Sequence, residues 1–394
     1  MFRKLRAALR CAVGGTVLVA MASGQLSAQV TTIEGQTGEG ALYAFAVPAQ
    51  WNGRLVVYVH GIVDPGAPVA VPTAQDGFEV LRTQWLDAGY AVAASSFSEN
   101  GYAVQSAVQR THQLRGLFAS RVGQPARTYL VGHSLGALAV LALAETYPGQ
   151  YDGALPMCAP LGGSRPEVQY LGDARVAFDY FFPGVVPGGA FTVPPDTAFT
   201  PGSPVFMAVL NALTAGLFLP GQPTLQFARV AKLPFSSATE IVFSGMSVVG
   251  FSVRFTNDVL SRTQGHIPFD NLDTFYTGSL DDSALNDPIS GVARFTASPD
   301  ALNYFERYYT PTGALQIPTL TLHTVLDPVV PFWHEAAYAA TAAQSGASAW
   351  LVQRSVARYG HCAITPAETT SAFDALVGWV DGGPRPAGGD ATIR

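Results

Sequence analysis

The 394-residue chain has a formal net charge of −6, with 48% hydrophobic and only 13% charged residues. That balance excludes a disordered chain, which lacks the apolar residues for a core. The acidic sign, without any basic cluster, argues against nucleic acid as a partner.

The length suits one large domain, or a domain carrying a sizeable insertion. The chain opens with Arg3, Lys4, Arg6 and Arg10, then an apolar run over residues 11–22 and a stretch of small residues. This is the pattern of a secretory signal peptide over residues 1–28, cut after Ala28 or, as a second choice, after Gly24. An uncleaved anchor is the alternative, but the run is too short to span a bilayer. The expectation is a secreted or periplasmic protein without stable membrane insertion. Removing the signal takes away four basic residues and no acidic one, so a net charge of −6 becomes −10. Of three cysteines, Cys11 leaves with the signal. The remaining pair, Cys158 and Cys362, suggests a disulfide in an exported chain, with two buried thiols as the alternative.

Beyond the signal, short apolar runs alternate with helical patterns, which predicts an α/β fold with a mostly parallel sheet flanked by crossover helices. Strands are expected over residues 41–47, 55–60, 90–95, 128–131 and 154–158. Helices are expected over residues 74–88, 103–122 and 135–147. The rhythm then breaks. Residues 162–316 offer Pro/Gly turns, aromatic residues and several helical patches, and read as an inserted, mainly helical cap. The apolar stretch over residues 241–253 is interrupted by Ser and Gly and reads as a cap or core helix. The rhythm resumes with a strand over residues 319–323, a helix over 332–343, a strand over 350–356 and a closing helix over 365–380. The core is therefore residues 29–161 and 317–381, and residues 382–394, rich in Gly and Pro, read as a flexible tail.

Gly132-His133-Ser134-Leu135-Gly136 fits the G-x-S-x-G nucleophile elbow, and its context is the required one: an apolar strand before it and a long Ala/Leu helix after it. The spacing has a steric reason, since the serine sits in a strained turn and the glycines make room for crowded neighbours. Here the chain resembles the α/β-hydrolase superfamily, over residues 41–158 and 317–380. The resemblance implies a chain order of Ser, acid, His. Asp327, in the Asp-Pro step beyond a late strand, fits the acid, and His361, between the last strand and the last helix, fits the base. His334 is the rival base but lies too close in sequence to Asp327. The resemblance also implies two backbone oxyanion donors: Leu135, after the nucleophile, and Ile62 in His60-Gly61-Ile62, with Gly61 as alternative.

Cys362 adjoins His361, and Cys158 ends the strand after the nucleophile helix, so both fall on the catalytic edge. A bridge would close a loop of about 200 residues, where the chain-entropy model expects a gain of several kcal/mol. The His-Cys pair resembles the feruloyl esterase and tannase group, in which a cysteine beside the histidine bonds one beside the serine. This chain departs from that group, having His133 and Leu135 beside Ser134, and Cys158 is expected to do the job.

Of the other histidines, His60 is expected to shape the mouth of the site, and His133 to pack or form a hydrogen bond. His112 reads as helix surface, His323 as a strand end, and His266 as a cap residue that could touch substrate. No metal-ligand spacing or cofactor signature is present. The favoured reaction is hydrolysis of neutral, apolar carboxylic esters, small or oligomeric, through an acyl-enzyme on Ser134. An exopeptidase of the same fold is the alternative, with Asp281 and Asp282 as possible amine anchors, although capping a turn is the preferred reading of that pair. A non-catalytic binding module is the third possibility, against which the complete triad order argues.

Overall fold

The structure, a computed structural model, describes residues 29–393. The signal segment with Cys11, and Arg394, lie outside the described residues. The first strands are β1 (Val30–Gln36), β2 (Leu42–Pro48) and β3 (Arg54–Val59), followed by α1 (Phe78–Asp87) and β4 (Ala91–Ser95). Next come α2 (Val104–Arg121), β5 (Arg127–His133), α3 (Ser134–Thr146) and β6 (Gly153–Met157). Six helices then intervene: α4 (Ser164–Phe181), α5 (Pro204–Gly216), α6 (Pro223–Val230), α7 (Ala238–Arg262), α8 (Asp282–Leu285) and α9 (Pro299–Arg307). The chain closes with β7 (Thr319–Leu326), α10 (Trp333–Gln344), β8 (Leu351–Tyr359), α11 (Pro366–Val380) and β9 (Gly389–Asp390).

The strands form one sheet in the order β1-β2-β4-β3-β5-β6-β7-β8-β9. The β1–β2 and β2–β4 pairs are antiparallel, and all others are parallel. Side chains alternate across a strand, and β3 shows the result. Leu55, Val57 and Val59 join the apolar cluster beneath α2 and α3, whereas Val56 and Tyr58 join the one beneath α1 and α11. A strand covered on both faces must be apolar throughout, as this one is. Helix α3 is a similar case. Twelve of its thirteen residues are buried, which explains why its Ala/Leu sequence shows little polar face.

The inserted helices have their own apolar cluster, centred on Phe178, Phe227, Val249 and Phe269. Their two connections to the sheet lie side by side. Ser164, opening α4, donates its N–H to the Tyr309 carbonyl (3.1 Å) and its hydroxyl to the Tyr308 carbonyl (2.8 Å). The returning segment is fixed to α3 as well. The buried Glu145 carboxylate accepts from the hydroxyls of Tyr309, Thr312 and Tyr338 and from the N–H groups of Thr312 and Gly313, at 2.6–2.8 Å.

The structure differs from the sequence reading in four places. Strand β1 has no counterpart there; it is an edge strand with mostly exposed residues, so it lacks the apolar alternation that marks a half-buried strand. The helix expected from residue 74 begins only at Phe78, because Asp76 and Gly77 take positive φ values of 52° and 75°. Strands β7 and β8 each continue three residues past their expected ends. Within the tail expected over residues 382–394, the described residues 382–393 are not free. Gly389 and Asp390 pair with β8, the Thr392 hydroxyl accepts from the Ala357 N–H (2.7 Å), and the Ile393 N–H donates to Glu368 (2.9 Å). Apart from Arg385 and Ile393 the side chains in this stretch are small, it carries no apolar pattern, and hydrogen bonds from backbone and side chains hold it instead.

Candidate active site

Ser134 stands where β5 turns into α3, with φ of +53°, in the left-handed region that side chains avoid. Two glycines make the turn possible. A Cβ on Gly136 would lie 2.2 Å from the His60 carbonyl oxygen, and one on Gly132 would lie 2.9 Å from the Val59 and Gly136 oxygens. The chain can pass this close to β3 only with hydrogens at those positions. The serine hydroxyl thereby sits at the carboxyl end of the sheet and at the start of a buried helix, where the helix dipole favours negative charge.

His361 and Asp327 converge on this hydroxyl. His361 Nε2 lies 2.8 Å from Ser134 Oγ, and Nδ1 lies 2.7 Å from Asp327 Oδ2. Asp327 is wholly buried. Its Oδ1 accepts the N–H groups of Val329 and Val330, both at 2.9 Å, so the Asp-Pro turn holds the carboxylate with its own backbone. Burial works against the charge, yet His361 and His323 outweigh it and hold the Asp327 carboxyl well below its ordinary range. Burial likewise opposes protonation of His361, but the Asp327 charge and hydrogen bond prevail and raise its pKa above 6.5.

The loop carrying His361 is fastened on both sides. Gly360 donates its N–H to the Leu326 carbonyl (3.0 Å), and its own carbonyl accepts from the Thr324 hydroxyl (2.7 Å). Cys362 is joined to Cys158 by a disulfide across 204 residues of sequence, with Cα atoms 5.3 Å apart, and its sulfur lies 3.5 Å from His361 Nε2. Beyond the loop, Thr365 and Glu368 form a reciprocal capping box at the start of α11.

The two oxyanion candidates stand beside the hydroxyl. Ile62 and Leu135 line, with Ser134, a cleft of about 280 Å³ whose wall also includes Tyr102, Pro160, Glu167, Phe251 and Val330. Leu135 is in the first turn of α3, where no intrahelical acceptor exists for its N–H. Gly61 brings the other segment close, since a Cβ there would lie 3.2 Å from the Ser134 Cβ.

Several residues around the site escaped the sequence reading. His323 does not end its strand but lies inside β7 as part of a buried network. Its Nδ1 faces Glu335 Oε1 (3.2 Å), and its Nε2 faces the Val330 carbonyl (2.9 Å) and Asp327 Oδ2 (3.5 Å). Both ring nitrogens thus face acceptors. Burial opposes the charge, but the hydrogen bonds to Asp327 and Glu335 keep this imidazole protonated well above the usual range. Glu335 is itself held by the Thr321 hydroxyl and the Gln353 amide, both at 2.6 Å. His334, the rival base, is buried away from Ser134. Its Nδ1 accepts the Gly162 N–H (2.9 Å), leaving Nε2–H to donate to Glu167 (2.9 Å). Burial lowers its pKa to about 3. Burial, then the charge of Asp327, raises that of Glu167 well above the usual carboxyl range.

The remaining histidines are accounted for by local contacts. His60 stacks on Phe97 with centroids 3.9 Å apart, and His133 Nδ1 lies 3.1 Å from the Tyr58 hydroxyl. His112 is packed rather than free on the surface, stacked on Tyr147 and 3.1 Å from the Tyr151 hydroxyl. His266 is exposed in the turn after α7 and does not line the cleft. Asp281 accepts the Ala284 N–H (2.9 Å) and Asp282 accepts from Gly278 and Ser279, so both carboxylates serve their own turn. Among the described residues no cluster of His, Cys, Asp and Glu is placed to hold a metal ion, and no helix is long and apolar enough to cross a membrane.

A mostly parallel sheet with a serine in the strained turn after β5, an aspartate after β7 and a histidine after β8 is the α/β-hydrolase fold. The profile of the Tannase-like family of unknown function (DUF6351) matches residues 30–190. Among solved structures, an esterase from Aspergillus oryzae is similar over 91% of this chain and 81% of its own, with 12% identity and a TM-score of 0.53. Feruloyl esterase B from Aspergillus oryzae is matched over 91% and 82%, with 12% identity and a TM-score of 0.44. Candida antarctica lipase A is matched over 92% and 83%, with 13% identity and a TM-score of 0.44. The first likeness carries the argument, and it is one of fold. No curated protein sequence matches the chain.

Proposed function

We propose that this protein is an exported serine hydrolase that cleaves carboxylic esters through an acyl-enzyme on Ser134. One observation carries the reading: the unbroken run from Ser134 Oγ to His361 Nε2 (2.8 Å) and from Nδ1 to Asp327 (2.7 Å) at the floor of a mostly apolar cleft. In the reacting tautomer, His361 Nδ1–H donates to the Asp327 carboxylate, and Nε2 accepts the Ser134 hydroxyl. Ser134 Oγ attacks the ester carbonyl carbon as its proton passes to Nε2, and the carbonyl electron pair moves onto oxygen. The N–H groups of Leu135 and Ile62 take up that oxyanion. Collapse expels the alcohol, which receives the proton from Nε2. Water then attacks the acyl-serine with the same base, releasing the acid and restoring Ser134. The helices between β6 and β7 act as a cap over this chemistry. The basic and apolar N-terminal segment of the sequence supports export.

The test is turnover of a graded set of p-nitrophenyl esters, short to long acyl, beside peptide anilides, with Ser134→Ala as control. Ester cleavage that falls roughly 10⁶-fold in kcat with the folded variant is the expected result. Anilide cleavage at comparable rate would replace the esterase with a peptidase, and turnover retained by Ser134→Ala would remove the assignment.

A further inference from the structure

The cleft at Ser134 adjoins a larger one. A second cavity lies between α4 and α7 and shares Tyr102 and Phe251 with the first. Its walls are helical stripes: Val168, Leu171 and Arg175 on α4, and Phe251, Phe255 and Val259 on α7, spaced three or four residues apart. Such a lining, with the hydroxyls of Ser252 and Thr256 as neutral polar members, suits a mostly apolar chain or ring, with one charged exception.

The exception is Arg175. It is the largest fully buried side chain, only 1% exposed. Nε donates to Asp179 (2.9 Å) and Nη1 to Ser252 Oγ (3.3 Å), but buried Nη2 has no hydrogen-bond partner among the described residues. The Tyr102 hydroxyl, in the wall common to both cavities and near Ser164, is also buried and makes no well-formed hydrogen bond among the described residues. A buried donor without an acceptor is costly, and more so on a charged group. Arg175 lines the second cavity, and Tyr102 lines both that cavity and the cleft that holds Ser134. The Asp179 carboxylate already neutralises the guanidinium, so a second anion would bring an uncompensated charge into the cavity. The missing acceptor is therefore a neutral oxygen.

We infer that one arm of the substrate ester is an extended apolar group bearing a neutral oxygen acceptor (carbonyl, ether or hydroxyl) remote from the scissile bond, and that this oxygen seats on Arg175 Nη2. The inference rests on the hydrolase reading and names the substrate class for that same site. Arg175 is then a specificity residue, with Tyr102 a second donor along the way.

The experiment uses matched substrates on the full-length protein. One set is p-nitrophenyl acyl esters of increasing length, each with and without a terminal ketone. The other is acetate esters of plain and keto alcohols, followed by acid release. A hydrogen bond to a buried guanidinium predicts at least about a tenfold gain in kcat/KM for the keto partner at one length in one set, lost in Arg175→Met. If Arg175→Met does not fold, Phe255→Trp, which fills the cavity and leaves the guanidinium in place, must abolish the preference instead. Equal rates for every pair, with Ser134-dependent turnover intact, would overturn the inference and leave the hydrolase standing; Nη2 would then hold a buried water only. A keto preference that survives both substitutions would overturn the seating on Arg175. Absence of any Ser134-dependent ester turnover would sink the hydrolase reading and this inference with it.

Discussion

The sheet with its flanking helices and the six helices inserted after β6 differ in how they hold the charged groups nearest the clefts. In the first, the buried carboxylates Glu145 and Asp327 are well partnered, Glu145 accepting five hydrogen bonds and Asp327 held by two backbone N–H groups and His361, although Trp85, Thr111 and Arg115 on the flanking helices each keep a buried atom with no partner among the described residues. In the second, Arg175 keeps an unpartnered donor on a cavity wall. The most exposed large apolar side chains, Ile289, Phe218, Leu280 and Phe275, are also there. A carboxylate with its hydrogen bonds complete is fixed in place, which chemistry requires of its groups. A donor left open on a cavity wall is suited to meeting a ligand.

Four changes test that contrast, from large effect to small. Asp327→Asn removes the charge that orients His361 and should cost about 10⁴-fold in kcat, read in ester turnover. The same variant tests the pH dependence. His361 must be neutral to accept the serine proton, and Asp327 raises its pKa. The wild-type acid limb of kcat/KM should therefore have its midpoint above pH 6.5 and move to lower pH in the variant. A midpoint unmoved by the substitution would mean another group controls it. Replacing Cys158 and Cys362 together with serine should lower unfolding stability by roughly 2–5 kcal/mol and depress turnover as the His361 loop loosens; denaturant melts and rates read both. Gly136→Ala drives a methyl group into the backbone of β3 and should cost about 1–3 kcal/mol in the same melts. Ile289→Ser, on the inserted side, should change stability by no more than about 0.5 kcal/mol, because its side chain is 94% exposed. A large loss there would show that the inserted surface is less dispensable than its exposure implies.

How far the sequence reveals this arrangement follows from how local each cause is. The turn at Ser134 is readable because its requirement is local: two glycines two residues either side of a strained serine, between an apolar strand and an apolar helix. Asp327 and His361 follow from chain order once that turn is recognised, and each sits at a strand end that periodicity locates. Arg175, Tyr102 and Glu167 are illegible by the same logic. Nothing near them in sequence states that they line two neighbouring cavities, because α4, α7 and the turn before α2 are brought together only by packing. His323 and Glu335 are twelve residues apart on a strand and a helix, and no spacing rule joins them. The last residues misled for a different reason. Gly and Pro signal a loose chain, whereas β9 is held by backbone bonds that any composition can make.

The joining of Ser164 to Tyr308 and Tyr309 has a consequence for the history of the gene. The two points where the chain leaves and rejoins the sheet are a hydrogen bond apart. Everything between them begins and ends at one place, so a single recombination event could replace that segment with another of different length and leave every strand where it was. The inserted helices and the sheet that positions Ser134, Asp327 and His361 can then descend by separate lines.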